Sequence, residues 1–127
     1  MSTPSPPDIV VIEDDSIMRE ALTDWLEAAG YGVRNAVDGC AGLEAVRCAE
    51  PALVVTDMHM PRTDGWGVIA ELRRRHPAVP VIAISGHVSA GRGVDIDATL
   101  ALGASRVLVK PFKRVELLLA VADLLRG

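Results

Sequence analysis

Four short apolar runs in this chain each stop on a polar residue: 9–12 before Glu13-Asp14, 53–56 before Asp57, 81–84 before Ser85 and 107–109 before Lys110. In the first, Ile9 to Ile12, the β-branched residues are continuous rather than alternating, the pattern of a strand covered on both faces. Between the runs the apolar period lengthens to three or four. Ile17, Ala21, Leu22, Trp25 and Leu26 predict a first helix, with Asp15 or Ser16 as its cap and Gly30 as its stop. A second helix is expected over 41–49, with Leu43 and Val46 inward, Gly42 a weakness within it and Pro51 beyond its end. A third, over 65–75, would bury Trp66, Ile69 and Leu72. It gathers Arg73, Arg74 and Arg75 at its C-terminal end, where the helix dipole favours positive charge. A fourth is expected from 95 to 102 and a fifth from 114 to 125, while 31–37 reads as a weaker strand at an edge. The fifth helix has more apolar positions than one buried stripe requires, so part of it is expected to face a partner.

Five strands alternating with five helices predict a parallel sheet with right-handed crossovers, an α/β three-layer sandwich. At 127 residues the chain reads as one domain over 8–127, after a Ser/Pro-rich, disordered tail over 1–7.

Charge narrows the function. Thirteen basic against seventeen acidic residues give a net charge of −4, and only Arg73-Arg74-Arg75 cluster on a predicted helix, which argues against direct nucleic-acid binding. Cys40 and Cys48 lack zinc-site spacing and suit reduced thiols of a cytoplasmic protein. The N-terminus has neither the basic residue nor the apolar centre of a signal peptide, and no run approaches membrane-spanning length.

In an open parallel sheet the carboxyl ends of the strands share one edge, where ligands bind. Glu13, Asp14 and Asp57 would then crowd together, and two such charges about 4 Å apart repel by roughly 4 kcal/mol at an effective dielectric near 20. A cation is expected, and an all-oxygen donor set suits Mg²⁺ rather than zinc. Lys110 adds a positive charge and Ser85 a hydroxyl. Singly, each has a bland explanation as a helix cap or a solvated strand end. Four such groups at four strand ends describe a phosphoryl-transfer site with a carboxylate nucleophile.

The stretches Val11-Ile12-Glu13-Asp14-Asp15, Asp57-Met58-His59-Met60-Pro61-Arg62-Thr63-Asp64-Gly65, Ile84-Ser85-Gly86 and Val109-Lys110-Pro111-Phe112 carry a resemblance. Together they resemble the receiver domain of two-component response regulators, of the stand-alone, chemotaxis-regulator-like kind, over residues 8–125. The resemblance implies a flavodoxin-like sandwich with strand order 2-1-3-4-5. It makes Asp57 the phosphoacceptor, Glu13 and Asp14 the acidic pair, Ser85 the switch hydroxyl and Lys110 the phosphate-binding lysine. It also implies that the backbone carbonyl of His59 joins Glu13, Asp14 and Asp57 in ligating Mg²⁺, and that the Lys110–Pro111 bond is cis. Matching Ser16-Ile17-Met18-Arg19 to the family's first helix selects Glu13 and Asp14 as the pair, with Asp15 as a cap; Asp15 as a ligand is the alternative.

On this reading a sensor histidine kinase or histidine phosphotransfer protein donates a phosphoryl group to Asp57. The chain then signals through its surface to a downstream protein target, or forms a homodimer through the fourth helix, fifth strand and fifth helix. Such a protein catalyses its own phosphorylation and dephosphorylation and is not a turnover enzyme. The chain departs from the family's pattern at Val107, where an aromatic residue is usual, and in a longer segment between Ser85 and Lys110 containing Gly91 and Gly93. His59 and His87, two residues after Asp57 and Ser85, are either exposed loop residues or an influence on the site. The alternatives are a degenerate receiver that binds without phosphorylation, a metal-dependent phosphatase, and the receiver part of a longer DNA-binding regulator. The phosphatase would need a second Asp where His59 stands.

Overall fold

Continuous β-branched runs need cover on both sides, and the fold supplies it. The computed structural model describes residues 6–60, 63–86 and 96–126. Its sheet contains β1 (Asp8–Ile12), β2 (Gly32–Ala36), β3 (Leu53–Asp57), β4 (Val81–Ser85) and β5 (Arg106–Val109), all parallel, in the order β2-β1-β3-β4-β5. The helices are α1 (Ser16–Ala28), α2 (Gly39–Cys48), α3 (Gly65–Arg75), α4 (Ile96–Leu102) and α5 (Arg114–Arg126). This is the expected flavodoxin-like sandwich in the expected order, with the weak strand β2 at an edge.

Successive strand residues point to opposite faces, which divides the core in two. Val10, Ile12, Val54, Val81 and Ala83 pack with Val46 of α2 and Val68, Ile69 and Leu72 of α3. Ile9, Val11, Val55, Ile82 and Ile84 pack with Leu22 and Leu26 of α1 and Leu117 and Val121 of α5. Full burial of each such side chain contributes about 1.5–3 kcal/mol relative to exposure. Both faces of β1, β3 and β4 are therefore closed, and the open side of the sheet is its carboxyl edge.

The structure revises several expectations. Ile17 does not face the core but is 78% exposed. At 100° per residue it lies about 180° around the helix from Leu26, while Met18 and Trp25 pack beside Leu22 and Leu26 on the buried side. Helix α2 begins earlier than 41, because the Asp38 side chain accepts the Ala41 N–H at 2.8 Å and starts it at Gly39. Gly42 is a packing requirement rather than a weakness: a Cβ there would lie 2.3 Å from Cδ1 and 2.5 Å from Cγ1 of the buried Ile12. In α3, Trp66 is only half-buried, and Val68 joins Ile69 and Leu72 inside.

The Pro7 carbonyl accepts the Gly32 N–H at 2.9 Å, so pairing along the β1–β2 edge reaches one residue before β1. Residues 1–5, His87 and the extra segment with Gly91 and Gly93 lie outside the described residues. Among the described residues no helix is long and apolar enough to cross a membrane.

Candidate functional site

The carboxyl edge collects its polar residues through strand register. Ile12 pairs with Thr56, so Glu13 and Asp57 leave their strands side by side; Asp57 pairs with Ile84 and Ser85 with Val109, which steps the edge outward to Lys110. Backbone hydrogen bonds carry the ladder past the strand ends, from Glu13 N–H to the Ala36 carbonyl at 3.0 Å, from Met58 to Ile84 at 2.9 Å and from Lys110 to Ser85 at 2.8 Å. The Lys110–Pro111 bond is cis.

Asp57 is 2% exposed, and both its oxygens are held: Oδ1 accepts the His59 N–H at 3.1 Å, and Oδ2 lies 3.3 Å from Lys110 Nζ. Glu13 is 1% exposed. Its Oε1 accepts the Asp15 N–H at 3.3 Å, whereas its buried Oε2 has no hydrogen-bond partner among the described residues. Burial, and next the Asp57 carboxylate, push the Glu13 carboxyl up to about 8, against the pull of Lys110. Asp14 is exposed at the mouth. One oxygen from each of Glu13, Asp14 and Asp57 lies within 4.8 Å of the others.

A divalent cation fits this place on the structure's own terms. Three carboxylates face one ammonium, an acidic oxygen is buried without a partner, and the donor set is oxygen only with an open side at Asp14.

The remaining candidates sort by geometry. Ser85 is fully buried at the neighbouring strand end, and its hydroxyl donates to the Gly86 carbonyl at 3.1 Å. The exposed ring of His59 lies against Gly86, where an added Cβ would be 3.4 Å from its Cδ2. Asp15 caps α1 by accepting the Ile17 N–H at 3.0 Å, and the acidic cluster consists of Glu13, Asp14 and Asp57. After Asp57 the chain doubles back in a two-residue ribbon, His59–Met60 against Thr63–Asp64, that the sequence did not suggest. Gly65 closes this loop, since a Cβ there would lie 2.7 Å from Met58 Cα.

Arg19 is the residue that sequence reasoning used only to set the register. Its Nη1 donates to the Glu13 carbonyl at 2.9 Å and the Asp14 carbonyl at 3.3 Å. The signal available was its spacing, one turn into the helix that follows the acidic pair.

Known proteins carry the same arrangement of chain. A protein-glutamate methylesterase/protein-glutamine glutaminase from Symbiobacterium thermophilum is 39% identical over 116 residues, which cover 90% of this chain and 32% of that one. The transcriptional regulatory protein PrrA of Mycobacterium tuberculosis is 38% identical over 120 residues, 94% of this chain and 50% of that one. The chain thus spans a third to a half of the length of these relatives. Among solved structures, the receiver domain of NtrX from Brucella abortus matches with a TM-score of 0.87 at 30% identity, covering 94% of this chain and 99% of that one. A response regulator receiver domain protein from Clostridium thermocellum matches with a TM-score of 0.85 at 27% identity, covering 94% of each chain. Residues 9–122 fit the response regulator receiver domain, and with the fold, strand order and acidic edge in agreement the chain belongs to that family.

Proposed function

We propose that Asp57 accepts a phosphoryl group from the phosphohistidine of a sensor histidine kinase or histidine phosphotransfer protein, in a site that binds Mg²⁺. One observation carries this reading: the buried Asp57 carboxylate is fixed between the Lys110 ammonium at 3.3 Å and two acids with oxygens within 4.8 Å of its own. The nucleophile is held in place, with positive charge on one side and an unmet need for a cation on the other.

The carboxylates of Glu13, Asp14 and Asp57 and the backbone carbonyl of His59 would hold Mg²⁺. When bound, the ion neutralises charge on the phosphoryl oxygens. An Asp57 oxygen attacks phosphorus; its O–P bond forms as the N–P bond to the donor imidazole breaks, and that bond's electron pair returns to the ring nitrogen. Lys110 and Ser85 hold the phosphoryl oxygens, for which the Ser85 hydroxyl must turn away from the Gly86 carbonyl. Attack of water on phosphorus later breaks the O–P bond, releases inorganic phosphate and restores the carboxylate. Each donor is used once per cycle, so the protein works as a self-catalysing phosphoacceptor rather than a turnover enzyme.

The outward surface of α4, β5 and α5 serves as the output face. Ile96 and Leu100 on α4 and Val115 and Leu119 on α5 are 40–58% exposed, an apolar set suited to a protein target or a second copy of the chain.

Intact-mass measurement after treatment with a small phosphodonor and Mg²⁺ tests the reading. Wild type should gain one phosphate, whereas Asp57→Asn, and wild type in chelator, should gain none. An equal adduct in Asp57→Asn overturns the assignment.

A further inference from the structure

We infer that Arg19 is a positioning residue for the cation site, holding the backbone of Glu13 and Asp14 so that their carboxylates converge with Asp57. The inference rests on the Mg²⁺ site proposed above. Glu13 and Asp14 lie in the short connection between β1 and α1, and their charges repel each other and Asp57. A short loop under that repulsion relaxes by swinging its acids apart unless its backbone is held.

Among the described residues the ladder holds only its first amide, through Glu13 N–H and the Ala36 carbonyl. The two carbonyls of the pair are met by one group, Nη1 of Arg19, at 2.9 and 3.3 Å. Arg19 is itself fixed within the first turns of α1, where its N–H donates to the Asp15 carbonyl at 2.8 Å. Asp15 caps that helix and passes its own N–H to Glu13 Oε1 at 3.3 Å. Residues 13–19 therefore close on themselves, so that the helix start fixes Asp15, Asp15 orients the Glu13 carboxylate, and Arg19 reaches back to fix the backbone. The Arg19 carbonyl accepts the Thr23 hydroxyl at 2.8 Å, and Thr23 Oγ1 accepts from Asn35 Nδ2 at 3.3 Å, anchoring this turn toward the sheet edge beyond β1.

The choice of acceptor matters chemically. Among the described residues Arg19 forms no ion pair, so its guanidinium orients both acids without occupying an oxygen that a cation would use. Partners that orient ligands from behind typically change metal affinity ten- to a hundred-fold when removed. Through-space charge acts in the opposite sense, because a guanidinium beside the site repels a divalent cation. The sign of the effect separates the two.

Calorimetric Mg²⁺ titration of wild type, Arg19→Ala and Arg19→Lys, with melting curves recorded in chelator, tests the inference. Arg19→Ala should weaken Mg²⁺ binding at least about tenfold. Arg19→Lys, which keeps the charge but cannot span both carbonyls in the same way, should fall between the two. The metal-free melting point should change little in either. Unchanged or tighter binding in both variants, with wild type binding normally, overturns the inference alone; a wild type that takes up no Mg²⁺ overturns the site and the inference with it. If Arg19→Ala does not fold, a several-fold loss in Arg19→Lys supports the role, and wild-type affinity there refutes it.

Discussion

Glu13 concentrates the electrostatic strain of the site in one side chain. Its carboxyl is buried, faces another carboxylate and is pushed up to about 8, so keeping it in the fold without a cation costs stability that the unfolded chain does not lose. Replacing it with Gln keeps the shape and removes the group that must either take up a proton on folding or stay charged in the interior. The folded carboxyl holds its proton up to about pH 8 while the unfolded one loses it near 4.5, so Glu13→Gln should stabilise the metal-free protein relative to wild type by an amount that grows from pH 4.5 to about 8. The same variant should lose most of the stabilisation that Mg²⁺ gives wild type. Denaturant melts of both proteins with chelator and with Mg²⁺ check this, and a Glu13→Gln protein less stable than wild type in chelator would count against it. Residues of this kind were legible in the sequence, because an acid, a hydroxyl or a lysine that ends an apolar run has few other reasons to be there. Arg19 was not. Its role depends on a side chain folding back on carbonyls five and six residues earlier, and no one-dimensional pattern records that contact.

Helix α2 shows the same divide between local and tertiary information. Helix propensity alone says that Gly42→Ala should stabilise by about 0.8–1 kcal/mol. The packing says the reverse, since the new methyl would overlap two carbons of Ile12, a residue only 1% exposed between the sheet and this helix. Ile12 cannot turn aside without moving its neighbours in the core, so Gly42→Ala should destabilise by about 1–3 kcal/mol, as overpacking does. An urea midpoint above that of wild type would show that propensity wins. The elements themselves were readable from period and caps, with boundaries shifting by two residues where Asp38 rather than a later residue starts α2. Ile17 was misread because an apolar residue in the first helical turn fits a list of three-to-four spacings while lying on the far side from Leu26. The two-residue ribbon after Asp57 was invisible, being set by the close approach of Gly65 to Met58 and not by any alternation.

At the scale of the molecule, the question is how a change at Asp57 reaches the outer surface without an aromatic residue on β5. Val107 pairs with Ala83 in the sheet and packs into the cluster shared by α2 and α3. A β-branched side chain has little rotamer freedom, so Val107 cannot swing inward to fill space left by a moving Ser85. The backbone offers another route. Ser85 is bonded through its carbonyl to the Lys110 N–H at 2.8 Å, and in the phosphorylation proposed above its hydroxyl would leave the Gly86 carbonyl to meet a phosphoryl oxygen. In the same proposed step Lys110 would exchange part of its contact with Asp57 for the phosphoryl group. Both movements pull on the ends of β4 and β5 together and thus on α4 and α5, whose Ile96, Leu100, Val115 and Leu119 stand exposed. The two-state element is then the paired strand ends rather than a ring. Hydrogen exchange with Mg²⁺ and beryllofluoride, a phosphoryl mimic, should change protection across residues 96–126. Mg²⁺ alone should alter only 8–15 and 53–60. Val107→Ala should leave the response of 96–126 intact, because the route does not pass through that side chain. Protection changes restricted to 58–65, or a response abolished by Val107→Ala, would refute this account of signalling.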